Sequence, residues 1–289
     1  MPRVLASLMI GMSALTATSC AEEGGAPSAA AAPAPSAYVA LGDSYSAAPL
    51  NPELADKPCL RSTGNYPSQL ARALSAPLTD VTCSGAKSDD VMSGQELSES
   101  RGGGTVAPQI EAVGPETDLV TIGLGGNNGG LFTAIVNRCL APDADEAGCL
   151  RALARSGDDS DFRATGEGIR TVVAAVRERA ADDVVIALVD YPRLVTSARP
   201  CDALPGVDEE SLAAVANAQR QLNRTLAAAA EDSGALFLDL EGPSEEHGLC
   251  SADPWVNDSS TDPGLALRWH PFPPEQAAVA ALLGQLLVG

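Results

Sequence analysis

Short apolar runs alternate with longer segments of helical periodicity from Ala37 to the end of the chain. The clearest run is "DDVVIALVDYP" (182–192), and its nearly continuous Val, Ile and Leu are typical of a strand buried on both faces. Strands that alternate with helices of this length are joined by right-handed crossovers into a parallel sheet with helices on both faces. The pattern therefore predicts an α/β fold, a three-layer α/β/α sandwich around a central parallel sheet.

The expected elements place two polar turns on one edge of this sheet. The predicted strands are 37–42, 80–86 with its loop, 118–123, 182–190 and 235–240. The predicted helices are 65–74, 106–113, 161–180, 208–234 and 273–289. Ligands of open α/β sheets bind at the carboxyl ends of strands. Ser44 follows the first strand and Asn127 follows the strand at 118–123, so both lie at this edge.

Composition limits the number of domains and the choice of partners. The chain has 289 residues, of which 45% are hydrophobic, and this is enough for one large domain with a core. Its formal net charge is -20. Because an acidic surface repels phosphate groups, we expect no nucleic-acid partner and no basic patch for anionic lipid.

The N-terminus has the features of an export signal. Arg3 precedes a short apolar stretch, and residues 1–20 predict a signal peptide too short to span a bilayer. Cys20 resembles the lipobox cysteine of bacterial lipoproteins, which carries acyl chains after cleavage, although Ala17 stands where Leu is commonest. The alternative is an ordinary signal peptide cut near "ATS" or in the following Ala run. Residues 21–36 predict a flexible Ala/Pro/Gly/Ser linker, and residues 37–289 the folded domain.

Cysteine usage agrees with export. Seven cysteines are present, and without Cys20 an even number remains, which indicates disulfides in an exported chain. Six cysteines allow fifteen pairings. The sequential pairing is the simplest: Cys59–Cys83, Cys139–Cys149 and Cys201–Cys250. A zinc site is the alternative, but the chain has no C-x-x-C pair and only two histidines.

Four segments of the chain resemble the motif blocks of the GDSL, or SGNH, hydrolases. They occur in the order of that family and at suitable spacing: "GDSYS" (42–46), "SGAKSDD" (84–90), "GLGGNN" (123–128) and "RWHPFPPEQ" (268–276). One such block alone is weak evidence, whereas four in order are specific. The resemblance covers the chain from about Ala37 to its end.

The resemblance implies a serine hydrolase that needs no metal and no cofactor. Ser44 would be the nucleophile, and His270 would accept its proton and later protonate the leaving alkoxide. The oxyanion of the tetrahedral intermediate would meet three donors, which are the amides of Ser44 and Gly85 and the side chain of Asn127.

Two positions depart from the family pattern. Leu267 stands where an Asp usually orients the histidine, so we expect a Ser–His dyad in which the Leu267 backbone carbonyl orients His270. Asp258 and Asp262 are close enough in sequence to be rivals for this role. Asn128 replaces an Asp that usually braces its loop.

The nearest subgroup comprises the secreted actinobacterial esterases and lipases, whose members resemble this chain in three sequential disulfides. The sequence thus predicts an exported esterase or lipase, located outside the cell or at its surface. Its partner would be a small-molecule or lipid ester, the protein would be a monomer, and Cys20 could tether it to the membrane. A thioesterase or lysophospholipase would use the same site. Two further alternatives are a glycan O-deacetylase and a non-catalytic ligand-binding lipoprotein on a degenerate SGNH fold.

Overall fold

The computed structural model describes residues 34–262 and 264–288. Its strands are β1 (Tyr38–Gly42), β2 (Leu54–Asp56), β3 (Arg61–Ser62), β4 (Leu78–Asp80), β5 (Gln95–Glu96), β6 (Thr105–Val106), β7 (Leu119–Gly123), β8 (Val185–Val189) and β9 (Leu236–Leu238). Its α-helices are α1 (Ser44–Ala47), α2 (Tyr66–Leu74), α3 (Ser88–Ser93), α4 (Leu131–Ala134), α5 (Glu146–Ser156), α6 (Asp159–Arg179), α7 (Glu209–Ser233) and α8 (Pro273–Val288). The predicted signal peptide, Cys20 and most of the predicted linker lie outside the described residues.

Five strands form one sheet in the order β4-β1-β7-β8-β9. Every neighbouring pair in this sheet is parallel, and β1 and β7 pair along their whole length, from Tyr38 opposite Leu119 to Gly42 opposite Gly123. β2–β3 and β5–β6 are small antiparallel pairs outside this sheet. The fold is the predicted three-layer α/β/α sandwich with a central parallel sheet.

Alternate side chains of the central strands enter two separate cores. In β1, Val39 and Leu41 pack with residues of α6 and α7, whereas Tyr38 and Ala40 pack with residues of α2 and α8. This alternation follows from the period of two in a strand. Burial on both faces explains the unbroken apolar run of β8.

Two local predictions were shifted. The strand expected at 80–86 is β4, which ends at Asp80, because the chain then leaves the sheet and turns. Cys83 N still donates to Gly42 O at 2.9 Å, so the turn stays beside the end of β1. The helix expected at 106–113 is a short 3-10 turn, Gln109–Ala112.

The structure contains three disulfides, and all three predicted pairings are present: Cys59–Cys83, Cys139–Cys149 and Cys201–Cys250. The first ties the loop after β4 to the β2–β3 region. The second joins the segment after α4 to α5. Disulfides persist in oxidising compartments, so this chain is a protein of the extracellular environment.

Candidate active site

Ser44 begins a one-turn helix directly after β1. Asp43 caps this helix, because its side chain accepts from Tyr45 N at 2.9 Å. Ser44 itself is buried, and it lines a cavity at the carboxyl edge of the sheet. Within the described residues, the Ser44 amide has no intraprotein acceptor, as expected for the first N–H of a helix. A reacting group in the cavity would therefore meet both a hydroxyl and a free N–H.

His270 lies in the loop before α8. Its Nδ1 lies 2.7 Å from the Arg268 carbonyl oxygen, which fixes the tautomer with the proton on Nδ1. Burial lowers the pKa of His270 to about 4. The hydrogen bond to the Arg268 carbonyl opposes this, whereas the Arg268 charge acts in the same direction as burial. The imidazole is therefore neutral at pH 7, with Nε2 ready to accept a proton.

The expectation for Leu267 is wrong by one residue. A backbone carbonyl does orient His270, but that carbonyl belongs to Arg268, whereas Leu267 O accepts from the His270 backbone N at 3.1 Å. The tight turn before His270 directs the two carbonyls differently. The rival carboxylate of Asp258 accepts from Ser260 N at 2.7 Å, and Asp262 pairs with Ala266 through the backbone.

Tyr45, the residue after Ser44, contacts the loop that carries His270. The Tyr45 ring lies 5.9 Å from the His270 ring between centroids, and its hydroxyl donates to Trp269 O at 3.1 Å. Within the part of the chain that the structure describes, no hydrogen bond joins Ser44 Oγ to His270. Catalytic hydrogen bonds are often long without substrate and tighten in the complex.

The two remaining oxyanion candidates belong to adjoining loops. Gly85 is exposed at a φ of 83°, a conformation that favours glycine, and its amide has no acceptor among the described residues. Asn127 Nδ2 donates to Ala86 O at 3.1 Å and to Asp43 Oδ2 at 3.2 Å. These two bonds occupy both hydrogens of the amide, so Asn127 would reach a developing oxyanion by sharing or exchanging one of them.

Asn128 retains a bracing role as an amide. Its Oδ1 accepts from Ser88 N at 3.1 Å, and its Nδ2 donates to Ser88 Oγ at 2.8 Å. The substitution for Asp therefore leaves the loop joined to α3.

Asp43 and Tyr191 form a buried pair that the sequence did not single out. The Tyr191 hydroxyl donates to Asp43 Oδ2 at 2.6 Å and accepts from Gly126 N at 2.9 Å. Burial raises the pKa of Asp43 to about 7, while the hydrogen bonds from Tyr191 and Tyr45 oppose this rise. The one sequence signal was position, because Tyr191 follows β8 at the same edge of the sheet.

The cavity beside Ser44 is apolar. It has an empty volume of about 410 Å³, including its open mouth. Its apolar walls come from the α4 region, from the segment after β8 and from α7: Leu131, Phe132, Ile135, Tyr191, Leu194 and Leu222. Phe132 also packs 5.7 Å from the His270 ring between centroids. Asp43, Ser44 and Asn127 also line this cavity.

The described residues hold neither a cluster of metal ligands nor a membrane-spanning helix. Across residues 34–262 and 264–288, no three His, Cys, Asp or Glu side chains cluster as a metal ion would require. Among these same residues, no helix has the length and apolar character needed to cross a bilayer.

A serine, a neutral imidazole and free backbone amides at the carboxyl edge of a three-layer parallel sheet are the arrangement of the SGNH class of serine hydrolases. The chain belongs to the GDSL-like lipase/acylhydrolase family, which it matches over residues 40–273. Membership of this esterase and lipase family makes the protein an ester hydrolase.

Relatives and solved structures agree with this assignment. The chain is 36% identical to Lipase 2 of Streptomyces coelicolor over 228 residues, which are 74% of this chain and 73% of that lipase. It is 33% identical to Lipase 1 of the same organism, with 85% of each covered. An extracellular lipase from Streptomyces rimosus superposes with a TM-score of 0.72 at 27% identity, covering 88% of this chain and 100% of the lipase. Phospholipase A1 from Streptomyces albidoflavus superposes with a TM-score of 0.73 at 25% sequence identity. The match covers 89% of this chain and 100% of the phospholipase.

Proposed function

We propose that this protein hydrolyses carboxylic esters through an acyl-enzyme on Ser44. The observation that carries the proposal is the state of His270. A neutral imidazole, held through Nδ1 by the Arg268 carbonyl, packs against the residue that follows Ser44. A serine hydroxyl needs such a base, since it is a weak nucleophile at neutral pH.

The reaction proceeds in two half-reactions. Ser44 Oγ attacks the ester carbonyl while its proton moves to His270 Nε2, and the imidazolium then protonates the leaving alkoxide. Water next attacks the acyl-enzyme and gives a proton to His270 Nε2. The imidazolium then returns that proton to Ser44 Oγ as the bond to the acyl carbon breaks, which releases the acid and restores Ser44. The Arg268 carbonyl accepts a hydrogen bond from His270 Nδ1–H throughout and stabilises the imidazolium in each half-reaction.

Three donors would stabilise the oxyanion: the amides of Ser44 and Gly85, and Asn127 Nδ2. Loss of one oxyanion donor typically costs about 3 to 4 kcal/mol of barrier. The free state of the two backbone amides supports this assignment, because they need no rearrangement to bind the intermediate.

The apolar cavity favours an acyl chain over an acetylated glycan. Its lining is aliphatic and aromatic, whereas sugar hydroxyls require hydrogen-bond partners to leave water. Two relatives are named as lipases, and one solved structure is a phospholipase A1. We therefore propose lipid esters or other esters with an apolar acyl group as substrates. We also propose that the enzyme acts as a monomer.

The test uses p-nitrophenyl esters of increasing acyl length and a fluorophosphonate probe. We expect Ser44→Ala to lower kcat by at least about a thousandfold and to abolish labelling. Ser46→Ala is the matched control, because Ser46 lies in the same turn but its hydroxyl bonds Tyr66. Turnover that survives Ser44→Ala would remove Ser44 as the nucleophile. Asp258→Asn should keep most activity, and a thousandfold loss there would indicate a conventional triad.

The N-terminal segment adds a proposal about location. We propose that residues 1–20 direct export, that Cys20 is lipidated, and that residues 21–36 tether the hydrolase domain to the membrane. The support is the sequence pattern together with the disulfides of the domain. Palmitate labelling of cells should be lost in Cys20→Ser. Labelling that persists in that variant would contradict the lipid anchor.

A further inference from the structure

Two side chains donate hydrogen bonds to the carbonyl oxygen of the peptide group between Ser84 and Gly85. Ser84 O accepts from Arg101 Nη1 at 2.6 Å and from Gln95 Nε2 at 2.9 Å. No cis peptide bond occurs in the described chain, so in this planar unit the Gly85 N–H points away from the carbonyl. Fixing the direction of the carbonyl therefore fixes the direction of the Gly85 N–H.

Both donors belong to one small hairpin. Gln95 begins β5, and Arg101 ends the 3-10 turn Glu99–Arg101 that leads toward β6. Three consecutive glycines, Gly102 to Gly104, follow Arg101 with positive φ, which allows the chain to turn back at once. The hairpin is thus built to bring two side chains onto a single carbonyl.

Arg101 also binds the segments on either side of the first disulfide. Its Nε donates to Pro58 O at 2.8 Å, and its Nη2 lies 3.4 Å from Cys83 Sγ. The planar guanidinium has its donors in a fixed fork, so three simultaneous bonds leave it one orientation. The loop that carries Gly85 is therefore immobilised by the disulfide and by Arg101 together.

The same bonds change the strength of the Gly85 donor. A carbonyl that accepts two hydrogen bonds, one of them from a cation, polarises its whole peptide group. The N–H of that group then becomes a better donor. Gly85 is also exposed and its N–H has no acceptor among the described residues, so the strengthened donor is available to a ligand.

We propose that Arg101 and Gln95 are positioning residues for ester hydrolysis, which aim and strengthen the Gly85 amide toward the oxyanion. The inference rests on the proposed function, in which that amide binds the tetrahedral intermediate. Neither side chain needs to touch the substrate. Their effect is largest in the transition state, when negative charge develops on the carbonyl oxygen.

The kinetic test compares Arg101→Gln, Arg101→Lys and Gln95→Leu with the parent enzyme. We expect kcat to fall about tenfold to a hundredfold in Arg101→Gln and Gln95→Leu, with KM changed less than about threefold. Arg101→Lys should lose less, because it keeps the charge. The affinity for a trifluoromethyl ketone, which forms a charged tetrahedral adduct, should fall in parallel with kcat/KM.

Arg177→Gln is the matched control. Arg177 Nη2 also donates to backbone carbonyls, those of Ser233 and Gly234, but at the far end of α7. The Arg177→Gln variant should therefore have the same kcat as the parent enzyme. The amide 15N resonance of Gly85 gives a readout that general destabilisation would not move. We expect it to shift in Arg101→Gln and Gln95→Leu and to stay in place in Arg177→Gln.

Two results would overturn the inference. One is a folded Arg101→Gln or Gln95→Leu variant with kcat within twofold of the parent. The other is a loss of activity with the Gly85 resonance unmoved. If Arg101→Gln does not fold, Gln95→Leu decides. Ser44→Ala distinguishes failure of the proposed function from failure of this inference. If Ser44→Ala stays active, the proposed function is wrong. If Ser44→Ala is inactive but the Arg101 and Gln95 variants are fully active, only this inference is wrong.

Discussion

Trp269 has a φ of 62°, a backbone conformation that non-glycine residues rarely adopt. It is buried directly before His270, and its carbonyl accepts from Tyr45. This left-handed residue lies between Arg268, whose carbonyl holds the imidazole, and His270. Strained residues of this kind persist where the surrounding structure determines them, and they cluster at functional sites.

Glu275 is a second buried group near the site, and it gives a pH-dependent prediction. Burial raises its pKa to about 8, and the hydrogen bond from Gln276 opposes this. A carboxyl whose pKa is higher in the folded state stabilises the fold below its unfolded pKa. This contribution is lost as the pH rises from about 4.5 to about 8.

Glu275→Gln should therefore leave the free energy of unfolding similar at pH 4.5 and raise it at pH 9, by an amount on the order of 5 kcal/mol. Urea denaturation at both pH values measures this difference. Exposed Glu231→Gln in α7 is the control and should change neither value. An equal effect of Glu275→Gln at the two pH values would contradict the buried, proton-retaining state of this side chain.

At the scale of elements, the wall of the cavity depends on α4 and the π-helical segment Ile135–Cys139 that follows it. Gly129 and Gly130, which precede α4, both have positive φ. The Cys139–Cys149 disulfide joins the end of the π-helical segment to α5. π-helical turns are frequent at functional sites, because the extra residue redirects the side chains of the helix. Here Ile135 faces the cavity, whereas its neighbour Val136 does not line it.

Ile135→Ala should lengthen the preferred acyl chain of the substrate, because it enlarges the apolar cavity. The measurement is kcat/KM against the acyl length of p-nitrophenyl esters. Val136→Ala removes a comparable buried side chain next to it and should lower stability without moving the preferred length. The same shift in both variants would show that the cavity does not select the acyl chain.

At the scale of the whole molecule, the disulfides close loops of different lengths. The sequence separations are 24, 10 and 49 residues for the bridges at Cys59, Cys139 and Cys201. In the chain-entropy account, a longer loop restricts the unfolded state more and so stabilises the fold more.

Paired serine substitution should therefore cost more for Cys201–Cys250, about 4 kcal/mol, than for Cys139–Cys149, about 3 kcal/mol. Chemical denaturation of the two double variants measures the order. The parent protein under the same oxidising conditions is the reference. The reverse order would mean that native contacts, rather than loop closure, dominate the effect of these bridges.

The sequence by itself determined the layers of the fold, because apolar periodicity decides which face of each strand and helix is buried. It also indicated the region of the site, since Ser44, Gly85, Asn127 and His270 occur in recognisable motifs, and it made the sequential disulfide pairing the simplest of fifteen. Only the tertiary structure decided which backbone carbonyl orients His270, because that choice depends on the unusual turn at Trp269. The Asp43–Tyr191 pair, of which the sequence showed only the position of Tyr191 after a strand, also emerged only in the tertiary structure, as did the hairpin side chains on Ser84 O. These contacts join residues far apart in the chain, and their geometry exists only after the sheet and its loops have packed.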